Sequence, residues 1–453
     1  MYQLKNSSKE KCWTLSPVLM LVMLSSVALG DDISQRQSAW HAQLEKPPAK
    51  LTSAATSVDD LIENVLTNNS QLRAQYADWK VKVAAQKTVI TLPDPTFSMG
   101  YFIESVETAQ GPQNAKLSIG QTFPWISKTR ANFDIKQARA DQAYEKLENI
   151  RLTLIRDLRL LWNEATYLQN SIDIIAQKSG LSKDLEAVLT TQYTSASISH
   201  KGYASVQIQS LKWTEKLLTL VDQLYRIRIN LGALLELDGP LDLSAIPGSS
   251  AFEGVSQSDH GFSNLHPKLL SLDKSIESSE AAQVAALADY YPDLRMGLDY
   301  IFTGEKVVDG SAIPESGQDP IIFSMGFSIP IWNWGKQRSA VNVAKYQVEQ
   351  AQALRNHAEI QLRMQHAIAL SELAENQRQI ALFTDVLIPK SEEIVQVAEQ
   401  AYISQSADIE ALTETRQELL NLRLRLAKAQ YSAEIQNITI AYLEGEKNGF
   451  IKK

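Results

Sequence analysis

Residues 95–101 read Pro-Thr-Phe-Ser-Met-Gly-Tyr and residues 292–298 read Pro-Asp-Leu-Arg-Met-Gly-Leu, so proline, methionine and glycine recur in step, 197 positions apart. Further along stand residues 121–130, Gln-Thr-Phe-Pro-Trp-Ile-Ser-Lys-Thr-Arg, and residues 328–338, Ser-Ile-Pro-Ile-Trp-Asn-Trp-Gly-Lys-Gln-Arg. Each has Pro, then Trp, then Lys, then Arg. Helix-forming stretches follow and reach Tyr193-Thr-Ser-Ala-Ser in one half and Tyr402-Ile-Ser-Gln-Ser in the other, now 209 apart. The drift from 197 to 209 is loop insertion within one duplicated unit, a strand hairpin followed by a very long helical hairpin.

Composition fits that unit: 19 Gly and 15 Pro in 453 residues are too few for a loop-rich or all-β chain. The net charge of −8 argues against a nucleic-acid partner, which would require a basic patch. Residues 1–30 read as a secretory signal: Lys5, Lys9 and Lys11 form a positive start, 15–27 an apolar core, and Ala28-Leu29-Gly30 a small-x-small cleavage site. A membrane-anchor helix is the alternative, although the apolar run is short for a span. The one cysteine, Cys12, precedes the apolar core, which leaves the mature chain without thiol, disulfide or lipid anchor. The expected organisation is signal 1–30, lead-in 31–57, first repeat 58–238, linker 239–262, second repeat 263–445 and tail 446–453.

Four segments alternate as strands do. In 96–104, Phe97, Met99, Tyr101 and Ile103 fall on one face; in 115–123, Leu117, Ile119 and Phe123 do. In 294–302, Leu294, Met296, Leu298, Tyr300 and Phe302 oppose Arg295, Gly297 and Asp299; in 321–329, Phe323, Met325, Phe327 and Ile329 oppose Ser324, Gly326 and Ser328. Each segment is close to the roughly 9 to 11 residues of a tilted membrane-crossing strand, and Trp125, Trp332 and Trp334 lie just past strand ends, where an aromatic girdle would sit. The alternative is a pair of amphipathic hairpins packed on a water-soluble core. Membrane-crossing strands would demand an oligomer, because a single barrel needs about eight strands and the chain supplies four. The hairpins are expected over 95–124 and 292–331, with outer loops at 105–114 and 303–319.

The helical pairs are expected over 128–235 and 336–443, each preceded by a helix, over 58–91 and 263–290. No proline stands between Pro124 and Pro240, so the first helix can run from Lys128 to near Tyr193, roughly 100 Å at 1.5 Å per residue. Gly180 and Pro389, again 209 apart, predict a shared interruption of the two long helices.

The duplicated order of helix, strand hairpin and helical hairpin, with the Pro-Trp-Lys-Arg motif after the strands and Tyr-x-x-small at the helical tips, resembles the TolC family of bacterial outer-membrane efflux proteins over roughly residues 58–445. The resemblance implies a mainly α fold with transmembrane strand hairpins, in which a homotrimer makes a 12-stranded barrel in outer-membrane lipid above a periplasmic α-helical tunnel. It also implies the exit duct of a tripartite pump, with a periplasmic adaptor protein and an inner-membrane transporter as partners. The adaptor-docking tips would be Ser195, Ala196 and Ser197, and Ser404, Gln405 and Ser406; Ala196 and Gln405 stand where the family usually has glycine, and Ser127 likewise. Acidic residues narrow the periplasmic mouth in the family, and Asp408, Glu410 and Glu414 are the candidates here, Glu414 matching best. A solvated helix face is the alternative for these three residues.

Nothing points to an enzyme or a cofactor. There is no phosphate-binding Gly-x-x-x-x-Gly-Lys-Ser/Thr loop and no His-Glu-x-x-His or paired-Cys spacing. His357 and His366 lie nine apart on a helix, on opposite faces, and Asp259-His260 falls in the linker. Met99, Met296 and Met325 lie on the apolar strand faces, as packing side chains rather than metal ligands. The competing functional class is a secreted coiled-coil structural or adaptor protein.

Overall fold

A computed structural model describes residues 40, 44, 57–89, 91–194, 200–243, 264–308, 311–314, 316–328, 334–404 and 406–445. The expected signal 1–30 and tail 446–453 lie outside these residues, as does most of the lead-in and linker.

The first repeat opens with helices α1 (Val58–Asn68) and α2 (Ser70–Lys87), then strands β1 (Thr96–Thr108) and β2 (Gly111–Phe123), then α3 (Ile126–Thr194) and α4 (His200–Leu234). The second repeat gives α5 (Pro267–Ala288), β3 (Asp293–Thr303), two short strands β4 (Val307–Val308) and β5 (Ser311–Ala312), and β6 (Ile321–Ser328). It ends in α6 (Trp334–Leu382), a π-helical turn (Phe383–Leu387), α7 (Ile388–Ile403) and α8 (Ile409–Glu444).

Three expectations are corrected. The helix expected over 58–91 is two helices. Asn69 divides them, adopting an extended backbone and accepting the Leu72 N–H on its side-chain oxygen (3.1 Å), the arrangement of a helix N-cap. The loop expected at 105–114 is a tight turn, because β1 continues to Thr108 across an irregularity between Tyr101 and Val106 and β2 already starts at Gly111. Gly180 does not interrupt α3, which is helical over all 69 residues; a single glycine costs a helix only about 1 kcal/mol, which its packed neighbours supply. Pro389 does act on the matching helix. It lacks the N–H that would bond four residues back, and the wider π turn at Phe383–Leu387 takes up the mismatch.

Side chains seven residues apart hold α3 in place. Ala140, Leu147, Leu154, Leu168, Ile175, Ser182 and Leu189 are all buried at this spacing, as are Gln337, Ala344, Ala351 and Ala358 on α6. A strict seven-residue repeat keeps one seam facing its partners as helices coil around each other. α3 packs on α2, α4, α5 and α8, and α6 packs on α5 and α8. The main core lies where the hairpins meet the short helices, with Leu61, Leu72, Leu147, Leu152, Leu158 and Leu231 fully enclosed.

The four long strands form one antiparallel sheet in the order β1-β2-β3-β6. Phe97, Ile119, Leu298 and Phe323 stand in one row, and Met99, Leu117, Tyr300 and Ile321 in the next, all on one face. The alternate rows put Thr96, Gly120, Gly297 and Ser324, and Ser98, Ser118 and Asp299, on the other face. β1 and β6 are edges, each with one side unpaired among the described residues.

Candidate functional site

Among the described residues, nothing packs over the sheet face that would ordinarily be a core. Phe97 is 70% exposed, Met99 73% and Phe323 63%. Small and polar groups line the opposite face, which forms an open hollow of about 330 Å³ beside Ser98, Ser118, Gly120, Gly297 and Ser324. A sheet that is apolar outside and polar inside is the inverse of a water-soluble hairpin and matches a strand wall between lipid and water. No helix among the described residues is long and apolar enough to cross a membrane.

The repeated Pro-Trp-Lys-Arg motif joins this sheet to the helices. Trp125 stacks on Tyr291 (ring centroids 5.5 Å apart, planes nearly parallel), and its backbone N–H donates to Asp293 Oδ1 (3.3 Å). Lys128 Nζ lies 2.9 Å from Asp289 and 3.9 Å from Asp293. Burial works against the Lys128 charge, but the hydrogen bond and attraction of Asp289, with Asp293 behind it, hold its pKa above the ordinary lysine value. The motif of the first repeat therefore grips the start of β3 in the second. Trp332, at the matching place in the second copy, lies outside the described residues.

At the far end of the helices, Ser195, Ala196, Ser197 and Gln405 lie outside the described residues. Ser404 and Ser406 are exposed, and both close the turn between α7 and α8: each hydroxyl donates to the Ala401 carbonyl (3.1 and 3.0 Å), and the two hydroxyls lie 2.9 Å apart. Asp408 stands at the N-cap position of α8 without a capping bond from its side chain. Glu410 and Glu414 share one exposed face of α8 at a four-residue spacing, while Asp408 lies off that row. Sequence reasoning missed the next member, Glu418, which is exposed and accepts a hydrogen bond from Asn421 (2.9 Å). Two basic residues of α8 are engaged elsewhere: Arg416 with Glu399 (2.8 Å) and Arg423 with Glu392 (3.0 Å), both on α7.

Between the two ends lies a second polar feature unseen in the sequence. Lys178 of α3 is 2% exposed, its Nζ 3.8 Å from the ring centre of Trp213 on α4 and bonded to Asn421 Oδ1 on α8. Burial lowers its pKa to about 8 against the opposing pull of Glu418. A turn beyond, Gln417 donates to Ser182 (3.0 Å), so the two contacts stitch α8 to α3. The available signal was a lysine amid the heptad core residues Ile175, Ser179 and Ser182.

No group of three or more His, Cys, Asp or Glu side chains able to hold a metal occurs among the described residues. Residues 263–446 match the family model described as outer membrane efflux protein. The match covers the second repeat, 184 of the chain's 453 residues. A sequence search among curated proteins finds no match. Among solved structures the chain is similar to the outer-membrane channel OprN (18% identity, 86% of this chain and 89% of that one, TM-score 0.68). It is similar too to VceC of Vibrio cholerae (15% identity, 86% and 96%, TM-score 0.67) and to the open state of the MtrE channel of Neisseria gonorrhoeae (13% identity, 86% and 89%, TM-score 0.64). At these identities the likeness establishes a shared fold, and it spans both repeats of the chain.

Proposed function

We propose that this protein is the outer-membrane exit duct of a tripartite efflux or export system, working as a homotrimer with a periplasmic adaptor and an inner-membrane transporter. The observation that carries this reading is the unclosed sheet: two free edges and an uncovered apolar face, built on helices of about 100 Å. Free strand edges are not stable in lipid, where every backbone group must be paired. Three copies joined β6 to β1 make 12 strands, enough for a water-filled barrel. The helices then continue the passage through the periplasm.

In this reading the segments 195–197 and 404–406 are the ends to which the adaptor docks. Asp408, Glu410 and Glu414 are candidates for the gate at the mouth, where threefold symmetry multiplies each carboxylate into a cation-attracting ring. Energy comes from the partner transporter, since the sequence has no nucleotide-binding loop of the Walker type.

The test is mass in detergent together with single-channel conductance in a planar bilayer. Conducting trimers are expected, with cation preference weakened by Glu414→Gln or Glu410→Gln. A water-soluble, non-conducting monomer would overturn the duct. Unchanged selectivity in Asp408→Asn, Glu410→Gln and Glu414→Gln alike would overturn the acidic gate.

A further inference from the structure

We infer that Arg295 forms an anion-binding ring inside the barrel, a contact point for exported solutes that carry several negative charges. The inference rests on the duct reading above, because it needs three copies around one axis.

Arg295 lies on the polar face of β3, two residues above the junction with the helices. Its neighbours in the same row are Thr122 on β2 and Gly326 on β6. A Cβ added at Gly326 would meet nothing within 4 Å, so the space beside the guanidinium is open. Arg295 is exposed and lines the hollow on that face together with Gly297 and Asp299.

The nearby carboxylates are committed elsewhere. Asp299 pairs with Lys116 (3.2 Å). Asp293 is held by Lys128 (3.9 Å) and by the Trp125 amide (3.3 Å). Asp94, before the start of β1, makes no ion pair with Arg295 among the described residues. Among the described residues, Arg295 is thus an uncommitted positive charge of each chain at this level of the wall.

Barrel closure makes these charges act together. Twelve strands about 4.8 Å apart, tilted by about 40°, give a wall of about 12 Å radius. A guanidinium reaching inward from that wall lies roughly half-way to the axis. Three of them then stand about 10 Å from one another, comparable to the screening length of about 10 Å at 0.1 M salt. A polyanion on the axis would feel all three charges, and planar guanidinium groups suit carboxylate, sulfonate and phosphate oxygens.

The experiment uses the full chain in detergent, its mass determined in the same preparation, and reads the fluorescence anisotropy of pyrenetetrasulfonate at low salt. This measurement does not depend on whether the helical mouth is open. Wild-type trimer should bind the probe; Arg295→Gln should weaken binding at least tenfold, and Arg295→Lys should recover part of it. Asp299→Asn, which frees Lys116, should tighten it. Trimeric Arg295→Gln with wild-type affinity, or trimeric wild type that binds no probe, would overturn the ring and leave the duct standing. A monomer in detergent would overturn the duct, and the ring with it.

Discussion

Replacing Lys178 with methionine should make this protein more stable near neutral pH, and the gain should disappear in alkali. Lys178 is 2% exposed, and burial carries its pKa from 10.5 down to about 8 although Glu418 pulls the other way. A lowered value means that the unfolded chain holds this proton more tightly than the native one. Between pH 8 and 10.5 the native state binds fewer protons, so stability rises with pH across that window. Below pH 8 both states are charged and the fold bears the full cost. At about 1.4 kcal/mol per pH unit, the interval from 10.5 to about 8 amounts to about 3 kcal/mol per chain. Methionine fills a similar volume and keeps a favourable sulfur contact with Trp213, while the Asn421 side chain loses one partner, at about 1 kcal/mol. The expected net gain for Lys178→Met is about 2 kcal/mol near pH 7, falling steadily above pH 8. Denaturant unfolding in detergent, followed by circular dichroism for both proteins from about pH 7 to 10.5, reads the difference directly; titrations shared by the two chains cancel. A stability difference that stays constant over this range would refute the reasoning. So would a variant that is less stable throughout, which would mean that the Trp213 ring and Asn421 outweigh the desolvation of the ammonium.

His266 gives the matching effect in acid. It is fully buried, caps α5 by accepting the Lys268 N–H on Nδ1 (3.1 Å), and has its pKa lowered to about 4, mainly by burial and then by Lys268. The unfolded state takes up the proton first, so stability should fall as pH drops from 6.5 toward 4. His266→Asn, which retains a capping oxygen, should flatten that branch of a melting-temperature profile. Gly111→Ala should cost about 1–3 kcal/mol, because its φ is +123° and a new Cβ would sit 2.0 Å from the Gly304 carbonyl oxygen; protease cleavage within 304–319 should quicken, while Gly100→Ala, with nothing within 4 Å, should leave it unchanged. Phe323→Lys places a charge on the lipid side at about 2–4 kcal/mol per chain near the membrane centre, and should deplete heat-resistant oligomer in the outer-membrane fraction. Ser98→Lys, on the opposite face, should spare it.

Much of this architecture is legible along the chain, because its elements follow local periods. Alternation at period two marked the apolar faces of β1, β2, β3 and β6, and the absence of proline after Pro124 announced a helix of about 100 Å. The duplication alone pairs the two Pro-Trp-Lys-Arg motifs. Neighbour-dependent features were less accessible: Gly180 looks like a breaker in sequence, yet its neighbours in α3 keep it helical, and the turn at 109–110 could not be told from a longer loop. At the candidate sites, residue types and row spacing were readable at Glu410 and Glu414, but not the addition of Glu418 or the engagement of Arg416 with Glu399. Only the tertiary structure joined β2 to β3 across the repeats, set Lys128 against Asp289 and Asp293, closed Asp299 onto Lys116 and enclosed Lys178 between Trp213 and Asn421. Sequence by itself determined which faces are apolar and how long each rod is, since these depend on neighbours a few residues away. Which charges are paired and which stand open depends on groups up to 243 positions apart, brought together by strand order and helix packing.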